Sequence, residues 1–275
     1  MKNLFHISVL TITLFVVSCT IKEEVKSPVE TNYIQFVDPF IGSDYHGHVF
    51  VGANVPFGAV QLGPNNETQG WDWCSGYHYS DSILVGFAHT HLSGTGIGDL
   101  GDILFMPVSD EFVPVQNSDI PFAWKSTYSH EQEFAEPGFY SLHIDRYNID
   151  TELTASERVG FHKYNFNDKG NSKIIIDLKY GTGWDLLTKG NIEQVGKNAV
   201  QGFRFSKGWA ADQRIYFYTE FSKEIKTESY HEPLGFVFSP KTNFQMPIII
   251  VRTPSFVNTK FPTITRCFLT VGFSS

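Results

Sequence analysis

The chain has 275 residues, with 29 acidic and 21 basic side chains, a net charge of −8 at pH 7 and 15% aromatic residues. An acidic chain without a basic run lacks the cationic surface that attracts phosphate backbones, so nucleic acid is excluded as an expected partner. The length is sufficient for one large β domain or two small ones.

Residues 1–18 are predicted to be a lipoprotein signal peptide. Lys2 precedes a mostly apolar run over residues 4–17, which is too short for a permanent membrane span and fits the core of a secretory signal. The run ends in VVSC, which resembles the lipobox of bacterial lipoproteins, in which Cys19 becomes the lipidated N-terminus. An ordinary signal peptide with a chance cysteine is the alternative.

Residues 19–32 are polar, charged and contain proline, so they are predicted to be a tether. We therefore expect an exported outer-membrane lipoprotein, on the periplasmic or the cell-surface side, that contacts the membrane through its lipid anchor only. Cys74 and Cys267 remain after processing. They could form a disulfide, and their spacing leaves this question open.

Most apolar residues alternate with polar ones, which is the pattern of strands that bury one face. The alternation is regular in residues 139–145 and 214–221. The apolar faces of these two segments consist of Tyr140, Leu142, Ile144, Ile215, Phe217 and Phe221. Tyr216 and Tyr218 occupy the opposite face of the second segment. Residues 173–178, with the sequence KIIIDL, are predicted to form a more fully buried strand.

Many short strands joined by glycine-rich connections predict an all-β fold, a β-sandwich of the supersandwich type, over residues 33–275. No segment has a long 3.6-residue apolar pattern, and the chain contains 23 Gly and 13 Pro. Further strands are predicted at 34–38, 58–62, 103–107, 151–155, 200–206 and 234–238.

Three intervals depart from this regular pattern. The alternation shifts phase within residues 158–166, which predicts a β-bulge near His162. Residues 40–102 are predicted to be a long loop insertion rich in glycine and aromatic residues, and loops of that length are usually functional. Residues 233–275 contain no Asp or Glu. The interval 245–270 therefore reflects either a frameshift or a basic, apolar pair of terminal strands.

Three long segments resemble one known family. They read VDPFIGSDYHGHVFVGANVPFGAVQLGP, GWDWCSGYHYSDSILVGFAHTHLSGTGIGDLGDILFMP and GFRFSKGWAADQRIYFYTEFSK. In this order, and over about residues 34–244, the chain closely resembles the N-terminal domain of glycoside hydrolase family 92.

The resemblance implies a calcium-dependent, inverting exo-α-mannosidase. In that family the β-sandwich is joined to a C-terminal (α/α)6 barrel, which carries the catalytic acid, the catalytic base and most calcium ligands. This chain is expected to be a fragment that ends before the barrel. Calcium and the missing catalytic domain are therefore expected partners of the complete enzyme, and no catalytic residue is predicted within this chain.

By the same resemblance, residues 70–79 help to form the pocket for the terminal mannose. A pyranose ring has an apolar C–H face and a rim of hydroxyls, and an indole offers a flat apolar surface with one N–H donor. Trp71 and Trp73 are therefore predicted to stack on the sugar, and Asp72 to bind its hydroxyls. The alternative is that these aromatic residues cap the edge of the sandwich.

Four histidines are further predicted substrate contacts, and they form two pairs with a spacing of two residues: His46 with His48, and His89 with His91. Residues two apart on a strand face the same side. Four imidazoles could also form a zinc site, but no metal is expected on this chain. A structural hydrogen bond is the alternative role for each histidine. Asp99 and Asp102 lack the ligand spacing of a calcium loop.

The leading interpretation is the N-terminal domain of an exported exo-α-mannosidase that acts on α-mannoside glycans, such as the mannose of N-glycans. The alternative is a non-catalytic, cell-surface, carbohydrate-binding lipoprotein. A structural β-sandwich without a ligand is a third interpretation.

Overall fold

The computed structural model describes residues 32–113, 120–168, 171–231, 235–240 and 248–252. The predicted signal peptide, Cys19, nearly all of the tether and Cys267 lie outside these residues. Cys74 is buried and is not in a disulfide. Within the described ranges, no helix has both the length and the apolar character needed to cross a bilayer.

The chain divides into two compact units, Met1–Phe36 and Val37–Ser275. The described part of the first unit contains a 3-10 helix, Tyr33–Phe36, in which no residue is buried. The strand predicted at 34–38 is therefore wrong. The side-chain oxygen of Asn32 accepts a hydrogen bond from the backbone N–H of Ile34 at 3.1 Å, and this local bond favours a turn over an extended strand.

The second unit contains sixteen strands within the described residues. They are β1 (Ala53–Asn54), β2 (Gln61–Asn66), β3 (Ile83–Ala88), β4 (Leu104–Val108), β5 (Ser126–Thr127), β6 (Glu133–Glu136), β7 (Phe139–Ile144), β8 (Ile149–Ala155), β9 (Val159–Phe166), β10 (Lys173–Asp177), β11 (Leu186–Val195), β12 (Ala199–Lys207), β13 (Gln213–Phe221), β14 (Ile225–His231), β15 (Gly235–Pro240) and β16 (Ile248–Arg252).

These strands form two antiparallel sheets. The first has the order β1-β2-β3-β4-β10-β15-β14, with β5 paired to β3, and the second has the order β11-β12-β13-β16-β9-β8-β7-β6. Buried side chains from both sheets form one continuous hydrophobic core. The predicted all-β sandwich is confirmed, and the helices of the described residues are short 3-10 turns.

Strands of the second sheet follow the predicted alternation. On β7, Tyr140, Leu142 and Ile144 are buried, and the residues between them are half-buried. On β13, Tyr216 and Tyr218 are half-buried on the face opposite the core. A side-chain period of two, with one face against the first sheet, explains why these strands were predictable.

Strand β9 shows no bulge. Gly160, His162, Tyr164 and Phe166 are buried in strict alternation, and the pairing with β8 continues without a register shift. The bulge predicted near His162 is therefore wrong. The buried face contains an imidazole and a glycine, so a hydrophobicity pattern assigns the wrong phase to the first half of the strand.

The central strands of the first sheet are buried on both faces. All five residues of β4 are buried, as are the last four of β10, which confirms the fully buried strand predicted at 173–178. The segment 120–128 helps to cover the sheet, because the buried indole of Trp124 donates to the carbonyl of Val85 at 2.8 Å. The interval 40–102 is more than a loop insertion, since it also contributes β1–β3 to this sheet.

Strand β16 lies inside the second sheet, where it pairs with β13 on one side and with β9 on the other. It belongs to the interval 245–270 whose reading frame the composition places in doubt. The rest of that interval lies outside the described residues, so the frameshift remains a prediction from composition.

One buried cation connects the two sheets. Arg204, on β12 of the second sheet, has no exposed surface. Its guanidinium binds Asp102, which precedes β4 of the first sheet, at 2.7 Å, and it also binds Asp185. Its Nε donates to the carbonyl of Leu178 at 2.8 Å. The hydroxyl of Thr90 donates to the second oxygen of Asp102 at 2.7 Å, which adds another segment to the network.

We expect Arg204→Leu to lower the free energy of unfolding by about 3–5 kcal/mol, because it leaves two buried carboxylates without their cation. The matched control is Lys163→Gln, which breaks an exposed ion pair with Glu152 and is expected to cost less than about 1 kcal/mol. Urea denaturation at neutral pH measures both. Equal small losses in the two variants would contradict the structural role of Arg204.

Candidate functional site

Trp71 presents an exposed indole at a fixed position. It begins a 3-10 helix, Trp71–Trp73, and its side chain is 59% exposed. The indole Nε1 donates to the carbonyl of Gly96 at 2.7 Å, and the ring centroid lies 4.1 Å from that of His48. One edge of the indole is therefore held by the protein, while much of its surface remains available to a ligand.

Asp72 lies beside this indole and contacts two histidines. Nδ1 of His46 is 2.6 Å from Asp72 Oδ1, and Nε2 of His48 is 3.2 Å from the same oxygen. The hydrogen bond from His46 is the main reason why the pKa of Asp72 lies below its usual value. The carboxylate is therefore charged at neutral pH and can accept hydrogen bonds from hydroxyl groups.

The backbone at this site is strained. His48 has a φ of 55°, and Tyr45 has a φ of 49°. Left-handed conformations are uncommon for residues other than glycine and cluster at functional sites, where the surrounding contacts enforce them. Here the strained segment places both histidines against Asp72, whose position is 24 to 26 residues away in the chain.

Trp73 is oriented away from the group formed by Trp71 and Asp72. Its Nε1 donates to Asp81 Oδ2 at 2.8 Å, and its ring stacks on His78 with centroids 4.4 Å apart. Its side chain is half-buried. Both contacts are structural, and sugar stacking by Trp73 remains a prediction.

His89 belongs to a buried chain of hydrogen bonds between the sheets. Its Nδ1 is 2.7 Å from the carbonyl of Ile103, which can only accept, so Nδ1 carries the proton. Nε2 of His89 then accepts from Nε2 of His162 at 2.9 Å, and Nδ1 of His162 accepts from the hydroxyl of Tyr164 at 2.7 Å. Each imidazole nitrogen in this series of hydrogen bonds has a partner when both imidazoles are neutral.

His91 is also buried, and it makes contacts of its own. Nδ1 donates to the carbonyl of Gln61 at 2.7 Å, Nε2 lies 3.0 Å from the side-chain oxygen of Asn65, and the ring stacks on Phe50. The structure therefore groups His46 and His48 with Trp71 and Asp72, and it places His89 and His91 in the interior.

The other loop acids have structural partners. Asp81 binds the indole of Trp73, and Asp102 binds Arg204. Both oxygens of Asp99 accept hydrogen bonds from the side-chain amide of Gln213, at 2.8 and 3.0 Å. A carboxylate that is committed to such partners is poorly suited to donate a proton to, or accept one from, a substrate.

Among the described residues, His46, His48 and Asp72 form the group whose ligating atoms could hold a metal ion, since these atoms lie within 4.8 Å of one another. Two imidazoles and one carboxylate suit zinc and related metals. Calcium requires six to eight oxygen ligands, so this donor set does not fit the calcium ion that the family resemblance implies.

Two exposed tryptophans that were not among the predicted site residues lie beside the same loop as Trp71. Trp184 is 63% exposed and Trp209 is 64% exposed. Each follows a glycine, as Trp71 does, whereas the buried Trp124 follows an alanine. The repeated Gly-Trp dipeptide was the available sequence signal.

A family model for the glycosyl hydrolase family 92 N-terminal domain matches residues 36–235. The chain belongs to this family. A family GH92 α-mannosidase from Bacteroides thetaiotaomicron, solved in complex with mannoimidazole, is 31% identical, with a TM-score of 0.70 over 80% of this chain and 32% of that one. The resemblance stated from the sequence is thereby confirmed.

Two further relatives are more distant. An inverting family GH92 mannosidase from Bacteroides thetaiotaomicron VPI-5482 is 20% identical, with a TM-score of 0.63 over 82% of this chain and 32% of that one, and it supports the fold alone. An uncharacterized secreted glycosidase from Arthroderma benhamiae is 26% identical over 170 residues, which is 56% of this chain and 21% of that protein. The chain thus spans about a third or less of each relative's length.

We expect stability to fall as the pH drops below about 6.5. Burial lowers the pKa of His89 from 6.5 to about 4, so this imidazole stays neutral in the folded state while the unfolded chain takes up a proton. Stability from this source is complete above pH 6.5 and is lost as the pH falls toward 4. At about pH 5.5 His89 should contribute a loss on the order of 1 kcal/mol.

Urea denaturation at about pH 7.5 and about pH 5.5 measures this loss. His89→Gln should make the pH dependence shallower. Tyr164→Phe should lower the free energy of unfolding by the same amount at both pH values, because it removes a hydroxyl and keeps both imidazoles. A slope in His89→Gln equal to that of the wild type would contradict the assignment.

Proposed function

We propose that this chain is the N-terminal domain of an exported, inverting exo-α-mannosidase, and that it forms one wall of the pocket for the terminal mannose. The observation that supports this most directly is the exposed indole of Trp71 beside the charged carboxylate of Asp72. An apolar surface next to a hydrogen-bond acceptor complements a pyranose ring, which has an apolar C–H face and a rim of hydroxyls.

In this proposal the chain orients the sugar, and the catalytic domain supplies the acid and the base for hydrolysis. Inversion needs one carboxylic acid to protonate the leaving oxygen and one carboxylate to activate water on the opposite face. Trp71 fixes the plane of the mannose ring, and Asp72 fixes its rotation through the hydroxyls. Such positioning can supply several kcal/mol of the barrier reduction.

The same proposal includes calcium as a cofactor of the complete enzyme, with ligands mainly in the catalytic domain. It also includes export and lipidation at Cys19, since one relative is named as secreted and residues 1–19 have the features of a lipoprotein signal. His46 and His48 would hold Asp72 in place. Trp73, His89 and His91 would stabilise the surrounding structure through their hydrogen bonds.

We expect the 275-residue chain, with calcium present, to release no mannose from α-mannosides. Its loop acids are engaged in structural bonds, and the paired carboxylates of an inverting enzyme are expected elsewhere. Chromatography of reducing sugars after incubation with α-mannobiose measures the release. Mannose release that co-purifies with the chain and falls in Trp71→Ala would overturn this expectation.

In a protein that carries the catalytic domain, we expect Trp71→Ala to reduce kcat/KM about 100-fold, which corresponds to about 2.7 kcal/mol of lost transition-state stabilisation. The melting temperature should change by less than about 2 °C, because the side chain is exposed and surface changes cost little. Trp124→Ala, at a buried indole, should instead lower the melting temperature strongly. If Trp71→Ala lost activity and stability in parallel, the result would show that Trp71 acts through packing and would contradict a direct contact with the sugar.

The alternative function, a non-catalytic carbohydrate-binding lipoprotein, shares the indole of Trp71. The two functions differ in whether a catalytic domain follows this chain in the cell. Immunoblotting of the native protein with an antibody against residues 37–240 distinguishes a polypeptide of about 31 kDa from one about two and a half times as long.

A further inference from the structure

Three of the five tryptophans of the chain are largely exposed. Trp71, Trp184 and Trp209 have 59%, 63% and 64% of their surface accessible. Indoles have a large apolar surface, and their exposure in a group marks a binding surface. The proposed function assigns Trp71 to the terminal sugar, so the other two tryptophans require an explanation.

All three residues are hydrogen-bonded to one short segment, residues 96–99, which we call the anchoring loop. Trp71 is bound through its side chain to the carbonyl of residue 96. The backbone N–H of Trp184 donates to the carbonyl of residue 98 at 2.9 Å. The backbone N–H of Trp209 donates to Asp99 Oδ2 at 3.1 Å. The three tryptophans thus follow one another along the loop.

Glycines allow the backbones to approach one another at this point. A Cβ atom on Gly98 would lie 2.8 Å from the Cα of Gly183, which is closer than real Cβ contacts. A Cβ on Gly208 would lie 2.4 Å from Asp99 Oδ1. Gly183 also has a φ of 61°, which favours glycine. The glycines that precede Trp184 and Trp209 therefore allow the backbone of both tryptophans to lie next to the anchoring loop.

The arrangement is rigid below the surface. Asp99 is buried and accepts hydrogen bonds from three residues. The donors are the side-chain amide of Gln213 and the backbone N–H groups of Leu100 and Trp209. Asp185, directly after Trp184, binds the buried guanidinium of Arg204. Both indoles are thus carried by backbone whose neighbours have fixed partners, and preorganised contacts lower the entropic cost of binding.

We infer that Trp184 and Trp209 are subsites for the more distant sugar units of an extended oligomannoside whose terminal unit contacts Trp71. This inference rests on the proposed function. Each pyranose of such a chain has an apolar C–H face that can stack on an indole. A series of indoles on one loop fits a ligand with repeated sugar faces, and a single mannose would use one of them.

The test compares two ligands on the 275-residue protein by titration calorimetry, methyl α-mannoside and a linear α-mannotetraose. The wild type should bind the tetraose at least tenfold more tightly. Trp184→Ala and Trp209→Ala should each weaken tetraose binding about tenfold and leave methyl α-mannoside binding unchanged. Trp71→Ala should weaken the binding of both ligands.

Phe134→Ala is the matched control, since Phe134 is 52% exposed on β6, at the edge of the second sheet opposite to β11. It should change neither affinity. Equal binding of the two ligands by the wild type, or tetraose binding that survives both Trp184→Ala and Trp209→Ala, would overturn the inference. So would the finding that these two variants lose association with another polypeptide and keep their sugar affinity.

The outcomes distinguish a failure of the distant subsites from a failure of the proposed function. If Trp71→Ala weakens both ligands but chain length has no effect, the proposed function stands and the distant subsites are wrong. If Trp71→Ala affects neither ligand, or if the wild type binds neither, the proposed role of Trp71 fails and the inference fails with it.

Discussion

The guanidinium of Arg204 is the interaction on which the architecture of this end of the molecule depends. It is a fully buried charge, and burial of a charge is tolerated only where its partners surround it with good geometry. Its partners, Asp102, Asp185 and the carbonyl of Leu178, come from the segments that enter β4, enter β11 and leave β10. A shift of any one segment would leave a buried charge uncompensated. Two connections that are distant in the sequence, the one before β4 and the one between β10 and β11, are therefore held together.

This internal constraint determines what the surface can offer a ligand. The exposed tryptophans lie on backbone segments that are hydrogen-bonded to buried neighbours, and their bonds to the anchoring loop set their order along it. Trp71 has its N–H group engaged, so its apolar face is the part that remains for a ligand. Asp72 is held between two imidazoles and keeps its charge. A surface of this kind needs little rearrangement on binding, and less of the interaction energy is lost to ordering of side chains.

The sequence was most informative where one physical rule decides the outcome. Alternation predicted β7 and β13 of the second sheet, because each has one face on the core and one toward solvent. It was less informative for β2 and β3, since nearly all of their residues are buried and no alternation results. His162 was misread because a satisfied polar group replaces an apolar one in the core. The contact of His46 with Asp72 and the approach of Gly98 to Gly183 join residues far apart in the chain, and no local pattern encodes them.

Strand β16 has a consequence for how the domain is made. Among the described strands, it alone joins β11–β13 to β6–β9 within the second sheet. Both halves of that sheet are synthesised well before residues 248–252 leave the ribosome. Until then β9 and β13 each have an open edge, and open edges are templates for pairing with other chains. The nascent chain therefore depends on timely insertion of its last described strand, or on a chaperone that shields these edges in the interval.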